Sequence, residues 1–317
     1  MKSTVLSFLF LGLTLGAFAQ KNLKSDLQSK RVTLPNGWKL SPHGSSIALG
    51  DLPLNVVVSP DQKHLLVTNN GQSVQSLQLI DAATNQVLDS QKLPKSWYGL
   101  KVAGDNKTVF VSGGNDNCIR VFHILAGKLV EQEKIALTTD SKAIISPTGI
   151  EYDDATGILY VVSKDNNSLY IVNASTKKVE SVHGLPGEAF TCLLDKKKEL
   201  LYISVWGARQ ILPFQISTKK FLPAIAVGDH PNEMVLNKKG NVLFVANAND
   251  NSVSVVDLRM GKEIEVLNAA LVPDALEGSS TNGLALSADE EHPGHGPAPG
   301  RCHHKQPAHA GGGRLRR

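Results

Sequence analysis

Ile47–Pro53 reads IALGDLP and Ile225–Pro231 reads IAVGDHP. The two stretches share Ile-Ala, Gly-Asp and Pro at an offset of 178 residues, which is four periods of 44.5. Between and beyond these anchors one phrase recurs: an apolar run, an Asx-rich turn and a second apolar run. It reads LLVTNNGQSVQSLQLID over 65–81, VFVSGGNDNCIRVFHI over 109–124 and LYVVSKDNNSLYIVN over 159–173. It returns as LYISVWGARQILPFQI over 201–216 and LFVANANDNSVSVVD over 243–257. A further short apolar run stands before each, such as NVVVSPD at 55–61, with NGLALSAD at 282–289 opening another unit.

A period near 44 with three or four short strands per unit predicts an all-β chain built of β-propeller blades. LLV, LFV and LYVV are continuous apolar runs, suited to strands covered on both faces, while Ser252-Val253-Ser254-Val255 alternates as a strand with two unlike faces does. Asn-Asp-Asn, Asp-Asn-Asn and Asn-Asn-Gly tolerate positive φ and bond their own backbone, so they close hairpins. No helical periodicity is visible outside the first twenty residues. A stacked sandwich would share the strand spacing but not the four-period identity of IA-x-GD-x-P. From Val32 to Asp289 there are 258 residues, about 5.8 periods, whereas seven blades need about 311. A seven-bladed parent is expected, with a strand in Val32–Leu49 joining the last blade to close the ring.

These residues resemble the YVTN-type, or YncE-like, propeller repeat. Val67-Thr68-Asn69 and Val245-Ala246-Asn247 stand where that motif has its Val-Thr-Asn, and Ser254-Val255-Val256-Asp257 at its second-strand signature. The likeness covers 47–289. LPKSW, ISVWG and PDALEGSSTNGLALSAD look like a narrower group, in which an exported propeller precedes an alkaline-phosphatase-like phosphoesterase domain. No residue here matches that second domain, so neither its metal site nor its nucleophile is carried over.

The chain has 317 residues, with 33 Lys+Arg against 29 Asp+Glu. The basic excess sits at the ends: without Lys2, the five Lys/Arg of 290–317 and Glu290 with Glu291, residues 20–289 hold 27 of each sign. A neutral body has no electrostatic footprint for nucleic acid or an anionic membrane. Residues 1–19 have the plan of a secretory signal peptide: Lys2, an apolar run from Val5 to Leu15, then Ala17-Phe18-Ala19. Cleavage after Ala19 implies a periplasmic or secreted protein that does not span the membrane. Cys118 and Cys192 lie in strand-like contexts and read as buried free thiols. After Asp289 the repeat breaks off. Residues 290–317 hold five of the ten histidines, six Gly and four Pro, a composition unsuited to a blade and expected to form a disordered, frame-shifted tail. Four segments result: the leader 1–19, an N-terminal segment 20–46, the repeats 47–289 and the tail.

Nucleophile elbows, HExxH helices, P-loops and dinucleotide fingerprints are absent. The expectation is therefore no catalytic residue, no metal and no cofactor. Propellers concentrate function on the loops that lead into each innermost strand. In register these candidates are Asn55, Trp97, Tyr98, Glu188, His230, Asn232, Glu233 and Asn282, with Thr148 at the same level. Trp206 replaces the Asx turn in its repeat, as a recognition anchor or as a lid on a neighbouring blade. Glu188 with His230 is a conceivable acid/base pair across the mouth. Three functions stay open: a propeller binding a protein, glycan or small molecule, a lactonase-type propeller hydrolase, and the leading part of a phosphoesterase whose catalytic domain lies elsewhere.

Overall fold

The computed structural model describes residues 47–270 and 280–287, with stretches of backbone within 32–40 and at 302–305. Leu49–Pro307 form one compact unit, and Met1–Ala48 with Ala308–Arg317 another. In the latter, Val32–Thr33 pairs with Lys39–Leu40 as a hairpin. The leader 1–19 and most of 20–46 lie outside the described residues, as do 271–279 and all of 288–317 except 302–305.

Five antiparallel sheets follow one another in the larger unit, each a meander of four strands. The first comprises Pro53–Val58, His64–Asn69, Ser76–Asp81 and Val87–Lys92. The second comprises Leu100–Val102, Thr108–Ser112, Cys118–Leu125 and Lys128–Glu131, with Ile135–Ala136 also on its third strand. Pro147–Asp153, Ile158–Ser163, Ser168–Asn173 and Lys178–Gly184 form the third. Ala189–Asp195, Leu200–Val205, Gln210–Gln215 and Lys220–Phe221 form the fourth, with Ile225–Ala226 added on Gln210–Gln215. The fifth is Pro231–Leu236, Val242–Asn247, Ser252–Asp257 and Lys262–Asn268. First strands of successive sheets neighbour one another, the arrangement of blades in a β-propeller.

The turns are built from Asx side chains. Asp81 Oδ1 accepts the Ala83 and Thr84 amides at 3.0 and 2.7 Å, and Asn173 Oδ1 those of Ser175 and Thr176 at 3.1 and 3.0 Å. At the other end of the sheets Asn117, Asn167 and Asn251 take φ of 52°, 48° and 48°, the left-handed region asparagine tolerates.

The core lies between sheets. Leu66, Leu77 and Leu79 pack on Leu100, Val102 and Val109, and Phe110 and Ile119 on Ile150 and Leu159. Tyr202 and Ile211 pack on Met234 and Leu243. In each first strand the same register position is buried against the preceding sheet, at Leu100, Ile150, Cys192, Met234 and Leu284. The first sheet is the exception. Its equivalent Val56 is 41% exposed, and Val58, two residues on at the same face, is 52% exposed, because no preceding sheet covers them among the described residues.

IA-x-GD-x-P has a steric explanation. A Cβ on Gly50 would lie 2.7 Å from Asn69 Cγ, and one on Gly228 2.5 Å from Asn247 Nδ2. Each asparagine ties down the third strand: Asn69 Nδ2 donates to Ser76 Oγ and Gln78 Oε1 at 3.1 and 3.0 Å, Asn247 Nδ2 to Ser252 and Ser254 Oγ at 2.9 and 2.8 Å. Only glycine lets the incoming chain pass so near.

Gly283–Leu286 opens a sixth repeat, and its partner is Cys302–Lys305. The composition of 290–317 argues against a blade strand there, yet this four-residue ladder pairs backbone groups, which every residue but proline supplies in full. Cys118 and Cys192 are buried free thiols, and burial pushes the Cys192 thiol well up.

Candidate functional site at the mouth of the first strands

Four of the five first strands, all but Leu100–Val102, start at a kink. The ladder shifts register between Pro53 and Asn55, Pro147 and Ile150, Ala189 and Cys192, and Pro231 and Met234. Leu52, Ser146 and His230, each just before a proline, have φ of 49°, 49° and 56°. Proline bars the α region to the residue before it, and a bulge re-aims the side chains that follow. The two residues after the kink are therefore turned out of the ladder in the third, fourth and fifth sheets, and Leu54 alone in the first, where Asn55 pairs with Thr68.

Backbones close up at this level. A Cβ on Gly99 would lie 2.3 Å from the Thr148 carbonyl oxygen, and one on Gly149 2.5 Å from Thr191 Cα. Thr148 is buried, its hydroxyl bonded to the carbonyls of Val162 and Ala189 at 3.2 and 3.0 Å. With so little side chain from the third sheet in the way, Tyr98, leading into the second, reaches Phe190 of the fourth. Their ring centroids are 4.6 Å apart at 48°, a favourable aromatic geometry.

Polar groups surround this pair. Asn55 Nδ2 donates to the Tyr98 carbonyl at 2.8 Å. Asn232 Nδ2 donates to Asn282 Oδ1 at 2.5 Å, and Glu233 Oε2 accepts the Leu284 amide at 2.9 Å. Tyr98 keeps part of its surface open, yet the walls around it strip away solvent, and this burial, reinforced by the Glu233 charge, pushes its phenol well above the usual range. Asn232 Oδ1 and Thr281 Oγ1 are buried without a hydrogen-bond partner in the structure. Such atoms call for water or a ligand group. Asn55, Tyr98, Asn232, Glu233 and Asn282 thus belong to one polar and aromatic mouth, to which Phe190 adds an aromatic face.

The remaining candidates make contacts of their own. Trp206 starts the short 3-10 turn Trp206–Ala208 and stands edge-on to His230, with centroids 3.9 Å apart at 89°. It packs on the residue that leads into the fifth sheet. His230 Nδ1 lies 2.9 Å from both Asp229 Oδ1 and Asn249 Nδ2. Arg209 Nε donates to Asp229 Oδ1 at 2.7 Å, and that bond, with those from Asn249 and His230, holds the Asp229 carboxyl far below the usual range. The sequence pairing of Glu188 with His230 is not assembled: His230 is engaged by Asp229 and Asn249, and Glu188 is exposed. Trp97 is also exposed, with Lys164 Nζ 5.4 Å from its ring centre. Among the described residues no three His, Cys, Asp or Glu side chains converge as metal ligands, and no helix is long and apolar enough to cross a membrane.

Phe190 escaped the sequence reading although its register announces it, since it follows Ala189 as Asn232 follows Pro231. Asp229 and Arg209 were hidden for a different reason: one lies in the repeated GD pair, which reads as structural, and the other in a turn.

No family model and no curated protein matches the chain. Solved structures do. A functionally unknown protein from Desulfotomaculum acetoxidans is 16% identical, with a TM-score of 0.58 over 74% of this chain and 76% of its own. A protein from Lactobacillus plantarum is 13% identical, with a TM-score of 0.61 over 74% and 75%. U3-55K is 12% identical, with a TM-score of 0.59 over 73% and 69%. At these identities the likeness is one of fold alone, and the fold shared is β-propeller-like.

Proposed function

We propose that the chain is an exported YVTN-type propeller serving as a binding or scaffold module, with the mouth of its first strands as the recognition surface. The repeat signatures at 67–69, 245–247 and 254–257 support the family reading, and the plan of residues 1–19 supports export. Likeness to propeller–phosphoesterase fusions makes the partner domain of such a fusion a natural occupant of the scaffold. The observation that carries the binding reading is the Tyr98–Phe190 pair, ringed by Asn55, Asn232, Glu233 and Asn282. Aromatic faces beside convergent amides and one carboxylate are the chemistry of recognition sites, where a few polar groups orient what an apolar surface holds. Against a lactonase-type hydrolase stands the engagement of His230 with Asp229 and Asn249, which leaves Glu188 without its base partner.

The test is to incubate the chain with p-nitrophenyl phosphate and a simple γ-lactone, and separately with an array of peptides and glycans. The binding reading expects no turnover above buffer and saturable retention of at least one array class. Turnover that survives repurification and is lost in Glu233→Gln would overturn it.

A further inference from the structure

Between the second and third sheets lies a groove of about 270 Å³, walled by Phe110, His123 and Gln132 on one side and Tyr152, Ala174 and Lys177 on the other. Tyr152 is the last residue but one of Pro147–Asp153, so the groove opens at the end of the sheets remote from the mouth described above. Its origin is a difference between repeats. Ala174 follows the turn residue Asn173; at the same place the fourth and fifth sheets carry Ile216 and Leu258, which pack into the cores facing the third and fourth sheets. The methyl of Ala174 leaves that volume unfilled.

We propose that this groove is a binding site for a small, uncharged aromatic molecule bearing a hydroxyl or ring N–H, of the phenol or indole class. Phe110 and Tyr152 offer a tilted aromatic floor, their centroids 4.9 Å apart at 48°, against which a third ring packs edge or face. The His123 imidazole has no hydrogen-bond partner among the described residues and supplies a donor or an acceptor at the rim. Gln132 Nε2 is bound to the Val130 carbonyl at 3.0 Å, which leaves its Oε1 as a second acceptor. Lys177 and Glu133 form an ion pair across the opening, from sheet to sheet. Each cancels the other, so the rim selects for a neutral ligand. The volume lies just under the range of about 300–1,000 Å³ typical of drug-sized sites, which limits the occupant to one or two rings.

Titration of the full chain with p-cresol, followed by saturation-transfer NMR, tests this. Saturable binding near about 0.1–1 mM is expected. Ala174→Ile, which copies the residue of the fourth sheet, should weaken it at least tenfold without lowering Tm, and Ala174→Val covers the case in which isoleucine overpacks. His123→Ala should weaken it at least threefold. Absence of saturable binding, p-cresol affinity unchanged in both Ala174 variants or in His123→Ala, or equal affinity for the non-aromatic 4-methylcyclohexanol would each overturn the assignment.

Discussion

Gly228 lies so close to Asn247 that a Cβ on the glycine would sit 2.5 Å from Nδ2 of the amide and 2.6 Å from Asp250 Oδ2. The same approach is made 178 residues earlier by Gly50 on Asn69. Gly50→Ala and Gly228→Ala should each cost about 2 kcal/mol or more, since the clash is with buried, hydrogen-bonded amides. Gly184→Ala meets nothing within 4 Å and should be neutral or stabilising by about 0.5 kcal/mol. Urea midpoints of the three variants check the contrast.

Val58 and Val102 occupy one register position in successive sheets but are 52% and 4% exposed. Val102→Ala should cost about 2 kcal/mol, from lost transfer energy and the cavity left behind. Val58→Ala should cost under about 0.5 kcal/mol. Equal losses would mean that a further layer covers the first sheet in solution.

Lys101 and Glu151, on adjacent first strands, meet at 2.5 Å with side chains 32% and 12% exposed. Removal of either partner strands the other in a poorly solvated place. Lys101→Met and Glu151→Leu should each destabilise by about 2 kcal/mol, and the double variant by clearly less than their sum. A double-mutant cycle in thermal unfolding measures the coupling.

Asp229 is held ionised by Arg209, Asn249 and His230, so its folded pKa lies below its unfolded value. Its stabilising effect is present above the unfolded pKa near 4 and is lost as pH falls towards the folded one, where the native carboxylate must also take up a proton. Tm should therefore fall more steeply below pH 4 in the unmodified chain than in Asp229→Asn. Parallel slopes would show that the carboxylate is not held this way in solution.

The repeat was legible because its constraints are local and recur: the glycine of IA-x-GD-x-P cannot carry a Cβ, and an Asx closes the turn between second and third strands in every sheet but the fourth. Tyr98, Asn232 and Glu233 were legible as candidates from register alone, since Tyr98 leads into a first strand and Asn232 and Glu233 follow the start of one. Their convergence was not, because it depends on Gly99, Gly149 and the buried Thr148 clearing a path that no single repeat reveals. His230 illustrates the opposite case: a histidine at the right level, diverted by the adjacent Asp229 into a local network. Ala174 was invisible for a third reason, since its groove exists only by comparison with Ile216 and Leu258.

Binding at the mouth of the first strands is tested most directly by the affinity of an array-identified ligand for Tyr98→Ala, set against Val182→Ala on the outermost strand of the third sheet. Tyr98→Ala should weaken binding at least tenfold with the fold intact by circular dichroism, and Val182→Ala should leave it unchanged. Equal affinity of both variants and the unmodified chain would contradict the account and move recognition away from the Tyr98–Phe190 pair.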